Sequence, residues 1–424
     1  MRRTTLLWVF SFFALPSLFA EVRPAQDAGV LGRQALSVGE RVEFHSSILG
    51  ETVSMNLYLP ESFHDSSSEH TYPVIFANGS HGEEFFHLLA GLTRHLGHRE
   101  RMPESIVVSL NDMGPIPRIF THGMWSVNEL GPDGDPAKGV RHLREEVIPW
   151  LEREYRANHY RILIGVSGST LFPIHTLTAA PGLFESYILV AAADTLGMGE
   201  SEDSTFIDSL AGAFGKSPER RVRLYVGVAE SDVAKRADYR ANLEALKQRL
   251  VGLDGLTLGV DIFPRSDHYE VFIDAVRAGL DQNFPFERWS SRYRELVAQP
   301  GDALANIDRY YRTLSRDYGF AVLPRADRWN SVNCLRFMTR HLIREGRPAE
   351  ALAVARRRVR YQPERVGSHT GLADALEAVG DVAAAVAAQE QALRLARRHS
   401  PDSLGRVQER LEELRAKSVE PGAG

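Results

Sequence analysis

The stretch Tyr160-Arg-Ile-Leu-Ile-Gly-Val-Ser-Gly-Ser169 constrains this chain more than any other. An apolar run short enough for a buried strand stops at small residues around one serine, and helical sequence follows. A strand-to-helix turn this sharp demands small neighbours and leaves the serine hydroxyl exposed above the edge of a sheet. Ser167 is therefore a candidate nucleophile, and the segment calls for a sheet crossed by a returning helix. The last position of the motif is Ser169 rather than the more usual Gly.

The flanking sequence supplies such a sheet. Val53 to Leu59 alternates apolar and polar residues with period two and reads as a half-buried strand. Pro73–Ala77 and Ser105–Leu110 are short apolar runs of the kind found in a sheet covered on both faces. Val140, Leu143, Val147, Ile148 and Leu151 recur at helical spacing between Ala137 and Tyr155. After the strand Ile162–Ile164 comes a helix from about Ser169 to Thr178. Further strands follow at Tyr187–Ala191, Arg223–Val228 and Leu256–Phe263, with a helix at Tyr239–Leu250. Strands alternating with helices predict an α/β class with a mostly parallel sheet.

A different pattern begins after Trp289, where strand signals stop. Leu342 matches Leu376, Gly346 matches Gly380, Ala351 matches Ala385 and Leu352 matches Val386, a 34-residue period. Small residues where two helices cross, with Gly at the turn between them, are the tetratricopeptide signature. The expected organisation is a signal peptide over residues 1–20 and an α/β domain over 21–288. A helical linker (289–325), tetratricopeptide-like repeats (326–416) and a disordered tail (417–424) complete it. The repeats carry no visible chemistry and predict packing or a protein partner.

The N-terminus reads as a targeting segment. Arg2 and Arg3 precede an apolar run from Leu6 to Phe19, with small Ala20 as the cleavage point. That run falls short of the roughly 20 residues of a membrane span, so export to the periplasm or exterior is expected, with a retained anchor as the alternative. Cys334 is the only cysteine, which excludes an intramolecular disulfide. No HExxH or CxxC motif occurs, so neither a metal nor any other cofactor is expected. A net charge of −5 argues against nucleic-acid binding.

A serine hydroxyl needs an adjacent base, usually histidine, held by a carboxylate. Downstream of Ser167 the strand Leu256–Phe263 breaks at Pro264-Arg-Ser-Asp-His268, placing His268 in a loop after a late strand as the base. The strand Arg223–Val228 runs into Ala229-Glu-Ser-Asp232, which offers two acids. Glu230, the first residue to leave the strand, is preferred, with Asp232 as the alternative. The Gly168 N–H, directly after the nucleophile, is one expected oxyanion donor. The loop Asn78-Gly-Ser-His-Gly82 offers the other at Ser80, with His81 as a candidate substrate contact.

With these residues placed, the region from about Leu36 to Phe286 resembles the esterase family of α/β-hydrolases. That family includes enterochelin esterase-like, feruloyl esterase-like and S-formylglutathione hydrolase-like enzymes. Met55-Asn-Leu-Tyr-Leu-Pro-Glu61, Tyr72-Pro-Val-Ile-Phe-Ala-Asn-Gly79 and Met102-Pro-Glu-Ser-Ile-Val-Val-Ser109 carry the resemblance. So do Glu146-Val-Ile-Pro-Trp-Leu-Glu-Arg-Glu-Tyr155, the Ser167 segment and Pro181-Gly-Leu-Phe-Glu-Ser-Tyr187. The resemblance implies an α/β-hydrolase fold with Ser167 as nucleophile, His268 as base and an oxyanion donor near Ser80. It further implies a small-molecule ester substrate. Where the family has His-Ser-x-Gly-Gly, this chain has Val166-Ser-Gly-Ser-Thr170, which is expected to crowd the junction of helix and sheet. Its Asp-Gly after the early strand is Asn78-Gly79 here. The expected activity is ester hydrolysis through an acyl-enzyme. The alternatives are an acyltransferase, and a degenerate hydrolase fold serving as a scaffold that recruits partners through its repeats.

Overall fold

The computed structural model describes residues 33, 35–64, 67, 69–78, 82–110, 136–199, 204–215, 221–289, 292–328 and 331–419. Val38–Gly424 forms one compact unit, distinct from the segment ending at Ser37. Its centre is an eight-stranded sheet: β1 (Glu40–Ser46), β2 (Glu51–Tyr58), β3 (Tyr72–Asn78), β4 (Ile106–Ser109), β5 (Ala157–Val166), β6 (Ser186–Val190), β7 (Val222–Ala229) and β8 (Leu256–Phe263). The spatial order is β1-β2-β4-β3-β5-β6-β7-β8. The β1–β2 and β2–β4 pairs are antiparallel, and every pair from β4 across to β8 is parallel.

Helices fill the crossovers, α1 (Gly82–His98), α2 (Pro136–His142), α3 (Ile148–Tyr155), α4 (Leu171–Ala179), α5 (Phe206–Gly215), α6 (Glu230–Lys235) and α7 (Ala237–Leu250), and α8 (Val271–Asn283) follows the last strand. A π turn, Leu143–Val147, joins α2 to α3, so the helix expected over 137–155 is one nearly continuous rod. Because successive strand residues face opposite sides, the sheet feeds two cores. Val74, Phe76, Leu163, Leu224 and Val226 pack with α2 to α7, whereas Ile75, Ala77, Ile162, Ile164 and Tyr225 pack with α1 and α8. β3 is buried along its whole length, as a strand covered on both faces must be.

The rest of the described chain is helical: α9 (Tyr293–Ala298), α10 (Ala303–Tyr318), α11 (Leu335–Arg344), α12 (Pro348–Tyr361), α13 (Val366–Ala378), α14 (Val382–His399) and α15 (Leu404–Val419). Gly346 separates α11 from α12 at φ 70° and Gly380 separates α13 from α14 at φ 86°, left-handed positions that favour glycine. None of the described helices is long and apolar enough to cross a membrane.

The helical half docks where the parallel strands begin. Tyr311, Leu314, Leu335 and Leu342 join the same core as α1 and α8. Ion pairs tie the halves together: Arg325 Nη1 to Glu104 Oε2 at 3.1 Å and Arg328 Nη1 to Glu100 Oε2 at 3.3 Å. The Tyr311 hydroxyl also donates to Glu100 at 3.2 Å, and the Tyr361 carbonyl accepts the Ser67 N–H at 2.8 Å. Tyr160, Phe284, Trp289, Tyr318 and Phe320 form an aromatic cluster there, with ring centroids 5.4–6.3 Å apart. The opposite edge, where the strands end, stays clear of these contacts and carries the serine turn.

Candidate active site

Ser167 follows the last residue of β5, in the middle of the sheet. Val166 is still extended at φ −127°, and Ser167 then flips to φ 53°, a left-handed conformation that strains any residue with a side chain. A single 3₁₀ turn, Ser167–Thr170, leads into α4. The approach is so close that a Cβ at Gly165 would meet Pro173 Cγ at 2.8 Å, Thr170 Cα at 2.9 Å and the Ser169 carbonyl at 3.0 Å. Only glycine fits at that position.

Ser169 and Thr170, expected to crowd this junction, are instead bonded into it. The Ser169 hydroxyl accepts the Val166 N–H at 2.9 Å and lies 2.6 Å from the Asn78 carbonyl and 2.7 Å from that of Val166. The Asn78 amide donates back to the Ser169 carbonyl at 3.2 Å, and the Thr170 hydroxyl donates to the Ser167 carbonyl at 2.6 Å.

His268 arrives from the loop after β8, where Pro264 ends the strand and Arg265 takes φ 59°. The Asp267 carboxylate accepts the Tyr269 and Glu270 N–H groups at 3.0 and 2.9 Å, fixing the loop ahead of α8. His268 Nε2 lies 2.8 Å from Ser167 Oγ, and Nδ1 lies 2.7 Å from Asp232 Oδ2. A carboxylate can only accept, so Nδ1 carries the proton and Nε2 is left to accept from the serine hydroxyl. The Asp232 side chain is 9% exposed and the His268 side chain 30%. The Tyr269 ring stands edge-on to His268, centroids 4.8 Å apart, and is itself 45% exposed.

The structure brings together Ser167, His268 and Asp232, and leaves out the preferred acid, Glu230. Ala229-Glu-Ser-Asp232 reads as a loop in sequence, but Glu230 opens α6. At about 100° per residue, two positions on a helix point roughly 200° apart. Asp232 turns inward to the histidine, while Glu230 lies on the surface with the Arg265 N–H 3.4 Å from its Oε2. The onset of helix straight after the strand, with Val233 buried beside Asp232, is the signal that distinguishes them. Gly168 is buried in the serine turn. Ser80 and His81 lie outside the described residues. Sequence reasoning did not anticipate the Asn78–Ser169 contact. Among the described residues no group of His, Cys, Asp or Glu is arranged to hold a metal ion.

Residues 46–251 match the model of the family described as "Putative esterase". Over those residues, just under half of the chain, the protein is similar to this esterase family. The enzyme is accordingly a carboxylic ester hydrolase. Among solved structures it is similar to an IroE-like serine hydrolase from Shewanella oneidensis, with a TM-score of 0.57 at 19% identity over 76% of this chain and 98% of that one. An uncharacterised protein from Capnocytophaga ochracea aligns over 89% of this chain and all of its own, with a TM-score of 0.51 at 14% identity. These likenesses show the α/β-hydrolase fold. No relative among curated proteins matches the esterase significantly.

Proposed function

We propose that this esterase cleaves small-molecule esters through an acyl-enzyme on Ser167, with His268 as general base and Asp232 as its orienting acid. The carrying observation is the continuous contact Asp232–His268–Ser167, at 2.7 and 2.8 Å, meeting at a serine of left-handed conformation. Ser167 Oγ attacks the ester carbonyl carbon while its proton passes to His268 Nε2, and Asp232 stabilises the resulting imidazolium. The Gly168 N–H and, by the family resemblance, the Ser80 N–H receive the oxyanion. Collapse of the tetrahedral intermediate breaks the bond to the alkoxy oxygen, which leaves as the alcohol with the His268 proton. Water, deprotonated by His268, then attacks the acyl carbon and releases the acid and free serine.

Ser167→Ala tests this reading. Turnover of short p-nitrophenyl esters and labelling by a fluorophosphonate should both vanish, and labelling that persists in the variant overturns the assignment.

The basic, apolar Arg2–Phe19 segment supports action outside the cytoplasm, which the N-terminal sequence of the mature protein checks. A partner-binding role for the helical half is favoured by a groove of about 590 Å³ whose lining combines Arg340, Arg365 and Arg406 with Glu364 and Asp374, Arg336 and Arg358 being paired with Asp327. Arg340→Glu with Arg406→Glu should abolish capture of such a partner and leave ester turnover unchanged. Equal capture by the variant argues against the groove.

A further inference from the structure

Regular pairing between β3 and β5 ends at the rung Asn78–Gly165. Two residues later the chain makes the strained turn at Ser167, just past the last β5–β6 rung, Val166–Val190. Within that turn stands Ser169. Its one hydroxyl accepts the Val166 N–H and reaches two carbonyls, those of Asn78 at 2.6 Å and Val166 at 2.7 Å. A hydroxyl has a single proton to donate, so the Ser169 side chain bonds to the strand it follows and shares its proton between that strand and β3. The Asn78 amide returns the contact to the Ser169 carbonyl at 3.2 Å. Val166 and Ser169 flank Ser167 and Gly168, so both ends of this dipeptide are tied to the sheet.

We propose that Ser169 is a positioning residue for ester hydrolysis, its hydroxyl clamping the nucleophile turn to β3 and to the end of β5. The proposal rests on Ser167 as nucleophile. Left-handed backbone at a residue other than glycine persists only where its surroundings over-determine it. At Ser167 the clamp adds to that constraint beyond the last ladder rung, alongside the Thr170 hydroxyl bond to the Ser167 carbonyl. Without it, Ser167 can relax toward ordinary φ, which swings Oγ away from His268 Nε2 and turns the Gly168 N–H with it. Displacement of a reacting group by about 1 Å costs on the order of 100-fold in rate. Since the hydroxyl is committed to backbone groups, its removal acts on kcat and spares KM.

The test uses the full-length esterase and the variants Ser169→Ala and Ser169→Thr. The Ala variant is expected to lose about 10- to 100-fold in kcat per fluorophosphonate-titrated site, with KM within about threefold. Its labelling rate should fall in parallel, yet labelling should still reach completion. Thr, which keeps the hydroxyl, should restore kcat to within a few-fold of the parent. Wild-type kcat per titrated site in the Ala variant overturns the proposal, whether or not the yield of folded protein falls. Should Ala misfold, Ser169→Gly, the residue usual in the motif, is read in the same way: a large kcat loss supports the clamp and full activity overturns it. If the wild type takes no label, or Ser167→Ala retains turnover, the nucleophile assignment itself fails. If Ser167 labels normally and Ser169→Ala is neutral, only the clamp fails.

Discussion

The two edges of the central sheet treat polar side chains in opposite ways. Where the strands end, Ser167, His268 and Asp232 form a single file that opens to solvent, with the imidazole 30% exposed and the carboxylate behind it 9% exposed. Where the strands begin, Glu100 and Arg328 are 10% and 8% exposed at the side chain and face one another across the seam, with the Tyr311 hydroxyl completing the group. One edge keeps a reactive hydroxyl within reach of an incoming molecule; the other spends its polar groups on each other. Buried charge is tolerable at the seam because it is paired there. A strained serine is tolerable at the opposite edge because the turn around it is bonded down.

If this contrast is right, substitutions at one edge should change turnover and those at the other should change stability. The largest effect is expected for Asp232→Asn, which keeps the shape but presents the wrong hydrogen-bond partner to Nδ1. It should cost on the order of 10⁴-fold in kcat with little change in melting temperature. At the seam, Glu100→Gln leaves Arg328 without its counter-charge. It should destabilise the fold by about 3–5 kcal/mol, measured by denaturant unfolding, while kcat per titrated site stays the same. A seam variant that lowers kcat per site would show that the two edges communicate.

The third prediction concerns pH. Burial pushes the His70 imidazole down to about 4, with Arg156 and Arg325 acting in the same direction and Glu104 and Glu69 against it. In the unfolded chain His70 titrates near its ordinary value of 6.5, so the unfolded state binds more protons between that pH and 4. Stability contributed by neutral His70 is therefore complete above about pH 6.5 and is lost as pH falls toward 4. His98, His142 and His159 are also shifted down by burial and add to the same slope. His70→Gln should flatten the acid side of the melting-temperature profile, and an unchanged slope would remove His70 from that account. The smallest effect belongs to Glu230→Gln, expected to alter kcat by no more than a few-fold. A loss approaching that of Asp232→Asn would reverse the assignment of the acid.

What the sequence made legible follows the same division. β3, β5, β6 and β7 were readable because strands buried on both faces are short apolar runs bounded by breakers, β8 was readable although it is a half-buried edge strand, and Ser167 and His268 announce themselves after β5 and β8. β1 was not, because it is an exposed edge strand with charged residues and little apolar alternation. The choice between Glu230 and Asp232 depended on whether one turn of helix starts at the strand end, which four polar or small residues do not reveal. The seam was invisible for a different reason. Glu100 and Arg328 are separated by 228 positions, and nothing local to either marks them as partners. Ser169 looked like a departure from a motif, since only the fold brings the Asn78 carbonyl within reach of its hydroxyl.

The aromatic cluster beneath the sheet bears on how small this esterase can be made. Tyr160 belongs to β5 and Phe284 closes α8, yet their covering rings, Tyr318 and Phe320, come from beyond Trp289. A chain cut short after α8 would retain Ser167, His268 and Asp232 and still lay bare a greasy sole of aromatic rings. Trimming for economy would have to begin from the distal helices inward, and would have to stop before it reached α10.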